Sequence, residues 1–255
     1  MKSRDLHLIL IAVSAGLLIL SLITSIYLAG SLAEEERERY ENDRYYDGLR
    51  EVFESERFRD DPLPVQSEMK NDNTISVFDI TSCWIEIPGT GIDYPVMQEG
   101  GTKGYYLDHR PDGSRASSGC LFIPAGDSID SDNIIIYGHH MKNGTMLAGL
   151  ERYRDGNWAS DHRIIRLYTR LGIRSFKVIG VVVQSMHNRY FMWDDHISFP
   201  DTGSSFEYGY LANRLSVTRL DNSLLSETEM NRYLTLVTCD YNVSDGRLIV
   251  VACEV

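Results

Sequence analysis

The apolar positions of this chain change their rhythm twice. From Leu8 to Gly30, 23 residues run without a charge, LILIAVSAGLLILSLITSIYLAG, and about 20 apolar residues carry a helix across the hydrocarbon core of a bilayer. The segment predicts one transmembrane helix. Between residues 34 and 61 charges dominate, yet Tyr45, Leu49, Val52 and Phe53 recur at helical spacing and give a narrow apolar stripe. Two readings stand for it: a charged stalk that lifts a domain off the membrane, or an amphipathic helix laid against that domain. Pro62 and Pro64 end any helix there, and the polar residues 66–73, QSEMKNDN, read as a linker. From residue 74 onward the pattern is one of short β-branched and aromatic runs bounded by Gly, Pro, Asn and Asp: ISVFDI, CWIEIP, DYPVM, GCLFI, NIIIY, RIIRLY, SFKVIGVVVQ, LTLVTC and RLIVVACEV. Helix-like spacing interrupts them at residues 146–154 and 206–215, with a short helical turn expected at 226–233. The predicted fold is mainly β, a largely antiparallel barrel with inserted helices. Its organisation is an N-terminus at 1–7, an anchor at 8–30, an acidic helical stalk and linker at 31–73, and a folded body at 74–255.

Composition narrows the function. With 43% hydrophobic residues, 7 Pro and 20 Gly in 255 residues, the chain is a folded globular protein and not a disordered one. The formal charge of -12 argues against nucleic acid as a partner, because phosphates are bound by a basic face. Residues 34–61 hold 12 acidic and 6 basic side chains, which accounts for half of that charge. Lys2 and Arg4 precede the apolar run and Glu34, Glu35 and Glu36 follow it. Positive charge stays inside, so the N-terminus is expected in the cytoplasm and the body outside the cell. The rival is a cleaved signal peptide with Ser31-Leu32-Ala33 at its cleavage site, but the apolar run exceeds the roughly 7 to 15 residues of a signal core.

Four cysteines, Cys83, Cys120, Cys239 and Cys253, are too scattered for a CxxC zinc site or a disulfide framework. Cys239 closes the strand LTLVTC just before a polar loop, where a nucleophile is both rigidly held and reachable; a free Cys is otherwise a small buried hydrophobe. His139 follows the buried run IIIY and Gly138, a glycine that lets the chain turn, and a His there could exchange protons with the thiol and a leaving group. Arg247 lies eight residues after Cys239, a separation that lets a hairpin return its guanidinium to the thiol. There it could hold a carbonyl or a developing oxyanion, or it could simply pair with Asp240 or Asp245. Neighbouring side chains of an extended segment point to opposite sides, so only one of His139 and His140 can face the thiol. His140 is expected to provide packing or a surface hydrogen bond. The two histidines are not placed to chelate one metal ion, and no metal or other cofactor is expected.

The TLVTC strand, the YGHH turn and the DGRLIVVA strand resemble the Cys, His and Arg signatures of sortases. CWIEIPGTGIDYPVMQ, YYLDHR, GCLFI and IIIYGHHMKNGTMLAGLERY resemble the class B branch in particular, as do the helical stretch at 206–215 and the long N-terminal helix. The resemblance implies an eight-stranded sortase-type β-barrel and a membrane-anchored cysteine transpeptidase of Gram-positive bacteria. It further implies cleavage of a sorting pentapeptide on secreted surface proteins and transfer of the acyl group to a cell-wall amine of peptidoglycan. By motif, Cys239 matches the nucleophile, His139 the general acid/base and Arg247 the residue that positions substrate and supports the oxyanion. Thr238 matches a position whose backbone or hydroxyl contributes to the oxyanion hole, and Asp108 a substrate contact. Three departures stand out: Val237 where the branch often has Ser, Pro124 where an acidic residue is common, and Asp108 where Asn is frequent. The alternatives are a pilin-polymerising sortase, a membrane-tethered cysteine protease, and a tethered binding protein with an inert thiol.

Overall fold

A computed structural model of the chain describes residues 3–57, 76–185, 218–219 and 232–255. The proline-bounded end of the stalk, the linker at 66–73, the helical stretch at 206–215 and residues 226–231 of the expected turn lie outside the described residues. Two compact units are present, Met1–Gly48 and Leu49–Val255.

The first unit belongs to one helix, α1 (Ser3–Arg57). At about 1.5 Å per residue, the uncharged 23-residue run is roughly 34 Å long, enough for a hydrocarbon core of about 30 Å. Leu18, Ile26 and Tyr27 are largely exposed on it, so nothing among the described residues covers this apolar stretch. It is a candidate membrane span. Beyond it Arg37 bridges Glu34 and Glu41 at helical spacing, one turn away on either side.

The second unit is a closed barrel. Its strands are β1 (Cys83–Ile87), β2 (Ile92–Gln98), β3 (Leu121–Ile123), β4 (Asn133–Tyr137), β5 (Ile164–Thr169), β6 (Gly172–Ser185), β7 (Thr218–Arg219), β8 (Tyr233–Asp240) and β9 (Gly246–Glu254). They hydrogen-bond in the order β5-β1-β2-β3-β4-β8-β9-β6-β7, and β5 also pairs with β6. That last pairing closes eight strands into a ring and leaves the two-residue β7 outside it. The barrel is mixed and not simply antiparallel, because β2–β3 and β4–β8 run parallel. Apolar alternation is the same for either direction, so pattern alone could not reveal this.

Alternation sorts each strand into two faces. Ile134, Ile136, Leu234, Leu236, Leu248 and Val250 are fully buried and form the inner face. Ile135, Val237, Ile249 and Val251 form a second buried cluster on the opposite face of the same strands, with Tyr137 packed against it. Away from these strands, Phe53 stacks on Trp84 with ring centres 4.4 Å apart and meets Tyr168 edge-on at 5.1 Å. Leu49 and Val52 join them, and Arg50 adds an ion pair to Asp93 at 2.6 Å. Of the two readings of the apolar stripe, docking holds for its Leu49, Val52 and Phe53 portion.

One expected strand is a helix. ISVFDI folds into α2 (Val77–Ile80), where the Ser76 hydroxyl accepts from the Phe78 N–H and the Asp79 carboxylate accepts from the Ser76 N–H. This reciprocal capping outweighs the β preference of a short apolar run. The stretch at 146–154 becomes a 3₁₀ helix (Leu147–Arg154). A further short helix, α3 (Gly156–Asp161), starts at Asp155, whose carboxylate accepts from the backbone N–H groups of Asn157 and Trp158.

Candidate active site

Cys239 and Arg247 are register partners across β8 and β9, so their side chains leave the sheet on the same face. The hairpin that pairs them depends on Asp240 and Gly246. Asp240 Oδ1 accepts from the backbone N–H groups of Asn242 at 2.7 Å and Val243 at 3.1 Å, and Arg154 forms an ion pair with Oδ2. At Gly246 a Cβ would come within 2.9 Å of the Asp240 carbonyl oxygen and 2.8 Å of that of Val243, so no larger residue fits. With Asp240 committed to Arg154, the partners of the Arg247 guanidinium among the described residues are Gly246 O at 3.0 Å and Asp245 at 3.6 Å. Such a loose, partly exposed pair leaves most of its donors for another partner.

The parallel pairing of β4 with β8 sets Tyr137 opposite Val237, and the Gly138 N–H still donates to Val237 O at 3.3 Å. Two residues further along each chain, His139 comes level with Cys239. The turn that follows β4 thus brings His139 to the end of the barrel at which β8 and β9 hold Cys239 and Arg247. Gly138 is needed here for space and not for turning: it takes no positive φ, but a Cβ would lie 2.2 Å from the Leu121 side chain and 3.0 Å from Leu147. The Leu147 N–H donates to His139 O at 2.9 Å, which fixes the backbone behind the ring.

His139 Nε2 lies 2.8 Å from Leu107 O. A carbonyl only accepts, so Nε2 carries a proton in this bond and Nδ1 is the ring nitrogen left to exchange one. Leu107 belongs to a 3₁₀ turn (Tyr105–Leu107) whose organiser is Glu99. This buried carboxylate accepts from the N–H groups of Gly104 and Tyr105 and, at 3.5 Å, of Ala125. Sequence reasoning missed Glu99, because in MQEGGTK it looks like a solvated loop residue.

Thr238 and Asp108 stand apart from this group. The Thr238 hydroxyl is buried and donates to Gly138 O at 2.8 Å, so it ties β8 to the His-bearing turn and is not free to meet an oxyanion. Asp108 is half-exposed and sits against His109 at 2.6 Å and Arg115 at 3.5 Å. His140 departs from its expected surface role: Nδ1 bonds to Cys239 O at 3.1 Å, and its side chain is 11% exposed.

Cys239 is partly exposed while Cys83, Cys120 and Cys253 are buried, and all four are free. Burial pushes the Cys83 thiol up to about 12 against a small opposing effect of Arg174, and burial raises Cys120 as well. Cys253 is raised by burial and then by the Glu254 charge. None of these three offers a thiolate near neutral pH. Among the described residues, no group of three or more His, Cys, Asp or Glu side chains is arranged to hold a metal ion.

A partly exposed thiol paired across a hairpin with an arginine, at the barrel end that also carries a histidine, is equipment suited to thiol-dependent acyl transfer. The sortase domain model matches residues 85–255, and the chain belongs to the sortase family. Its curated relatives include sortase B of Listeria monocytogenes, 29% identical over 172 residues, and sortase B of Staphylococcus aureus, 27% identical over 173 residues. Each match covers 66% of this chain, and they cover 66% and 68% of those relatives, so the chain spans about two thirds of their length. Among solved structures, Clostridium perfringens sortase B is 25% identical with a TM-score of 0.59, covering 70% of this chain and 96% of that one. A Staphylococcus aureus sortase B–substrate complex shares the fold at 23% identity and a TM-score of 0.64, covering 86% of this chain. A sortase B complexed with triglycine does so at 22% identity and 0.64, covering 85% of this chain. Each match covers 98% of the solved chain.

Proposed function

We propose that this chain is a membrane-anchored cysteine transpeptidase of the class B type, which cleaves a C-terminal sorting signal and joins the released acyl group to a cell-wall amine. The observation that carries the reading is the register pairing of Cys239 with Arg247 across β8 and β9, with His139 in the turn that follows β4, the strand paired to β8. In this scheme the Cys239 thiolate attacks the scissile carbonyl carbon, and the developing oxyanion is met by Arg247. The C–N bond breaks as His139 delivers a proton to the leaving amine, and a thioester remains on Cys239. An incoming amine loses its proton to His139, attacks the thioester and restores the thiolate. The substrate and triglycine complexes of related sortases support a peptide donor and an amine acceptor as partners. The exposed apolar helix supports an anchor, and the Lys2 and Arg4 that precede it with the Glu34, Glu35 and Glu36 that follow it support an N-terminus in the cytoplasm and a catalytic domain outside.

The test is incubation of the full-length chain in detergent micelles with a panel of sorting-type pentapeptides and candidate amines, with products identified by mass. The expected result is an amide between the N-terminal peptide fragment and an amine, lost in Cys239→Ala. Cleavage without transfer to any amine would make the chain a protease, and products that persist in Cys239→Ala would remove the thiol from the mechanism.

A further inference from the structure

The last backbone bond between the His-bearing turn and the Cys-bearing strand is that from the Gly138 N–H to Val237 O. Beyond it the two segments would be free to part, and both reacting groups lie beyond it. Side chains take over at that point. His140 Nδ1–H donates to Cys239 O at 3.1 Å, and the Tyr241 hydroxyl donates to His140 O at 2.7 Å. The two rings pack with centres 5.0 Å apart. Each segment thus supplies one donor and one carbonyl acceptor to the other. Glu151 steadies the arrangement from the adjoining 3₁₀ helix, with Oε2 3.4 Å from His140 Nε2 and Oε1 accepting from Asn242 Nδ2 at 3.1 Å.

We propose that His140 and Tyr241 form a clasp that holds Cys239 level with His139, which makes His140 a positioning residue and not a passive neighbour. This rests on the assignment of Cys239 and His139 as the reacting pair. The clasp acts on the peptide that joins Cys239 to Asp240, where the strand ends and the hairpin begins. Fixing its carbonyl fixes the direction in which the thiol leaves the strand. The requirement at position 140 is a donor at the place of Nδ1, and the side-chain amide of Asn puts its nitrogen there.

The test is the pH profile of Cys239 alkylation by iodoacetamide, followed by intact mass on the full-length chain in micelles, for the wild type, His140→Ala, His140→Asn, Tyr241→Phe and His139→Ala. Loss of alignment with His139 is read as a displacement of this profile, and a shift of one pH unit means about tenfold slower alkylation at neutral pH. The expected result is a shift of that size in His140→Ala and a smaller one in Tyr241→Phe. The double variant should shift no further than His140→Ala alone, since both changes open the same clasp. His140→Asn should overlay the wild type. A His140→Ala profile that overlays the wild type, with circular dichroism showing a folded chain, overturns the proposal, as does a His140→Asn profile as poor as that of His140→Ala. Cys239→Ala should take up no label; if it does, or if His139→Ala leaves the profile unchanged, the assignment of the reacting pair falls first.

Discussion

Nε2 of His139 donates to the carbonyl oxygen of Leu107 at 2.8 Å, and that carbonyl is itself aimed by a carboxylate eight residues upstream, Glu99. The imidazole is therefore oriented by a backbone acceptor, and the acceptor by a buried charge that gathers three backbone N–H groups. No Asp or Glu among the described residues touches the ring directly in this arrangement.

Replacing Glu99 by Ala should expose the dependence. The N–H groups of Gly104 and Tyr105 would lose their acceptor, which costs about 1–3 kcal/mol for buried donors. Both the urea midpoint and the rate of thioester formation should fall, whereas Glu99→Asp should recover part of the rate. Full activity in a folded Glu99→Ala variant would show that the Leu107 turn holds its shape without the carboxylate.

Arg247→Lys keeps the charge but loses the fork. Loss of one oxyanion donor typically costs about 10² to 10³ in rate, and the partly exposed side chain has only loose partners, so the melting temperature should change little. Steady-state cleavage of one peptide by wild type and variant decides this; equal rates would return Arg247 to a structural role.

Iodoacetamide at neutral pH should modify Cys239 alone. The other three thiols are buried and pushed up, Cys83 to about 12, so peptide mapping should find them unlabelled until the chain is unfolded. Early labelling of Cys120 or Cys253 would contradict the burial described for them.

Phe53→Ala tests the docked end of α1. The ring is 1% exposed and stacked on Trp84, and truncating a buried Phe costs about 3–5 kcal/mol. A chain starting at residue 34 should be soluble and should melt well below its parent when it carries this change. An unchanged denaturation midpoint would mean that the aromatic cluster is not part of the cooperative unit.

Glu254 supplies a pH test. Hydrogen bonds from Arg174 at 2.7 and 2.9 Å, together with the attraction of that charge, hold its carboxyl below the usual carboxylate range against the opposing effect of burial. A lowered folded value adds stability above the ordinary carboxylate pKa, and that stability is lost as pH falls through the folded value. Glu254→Gln should therefore be less stable than wild type at pH 7, with the difference shrinking in acid. A gap that stays constant down to about pH 2, below the ordinary carboxylate range, would point to packing in place of charge.

Much of this was legible in the sequence. The eight-residue separation of Cys239 and Arg247 became a hairpin register, and the uncharged run became an exposed helix. What escaped was whatever depended on a partner distant in the chain. Glu99 acts through N–H groups whose presence no side chain announces, and the Thr238 hydroxyl is consumed by a carbonyl one hundred residues earlier. Gly138 stands where the sequence needs a glycine, but for a different reason from turning, since the crowding comes from Leu121 and Leu147. The ISVFDI run misled because a capping pair outweighs β preference over so few residues. His140 looked redundant beside His139 because alternation says where a side chain does not point, not what it meets there.

The parallel pairing of β4 with β8 sets the order of events as this protein comes to life. His139 and Cys239 are separated by one hundred residues, and contacts so remote in sequence close slowly because chain entropy must be overcome first. Arg247 joins only when β9 has zipped onto β8. That hairpin is local and closes early, so a half-folded chain is expected to carry its thiol with Arg247 but without His139, and the site becomes complete only with the completion of the barrel.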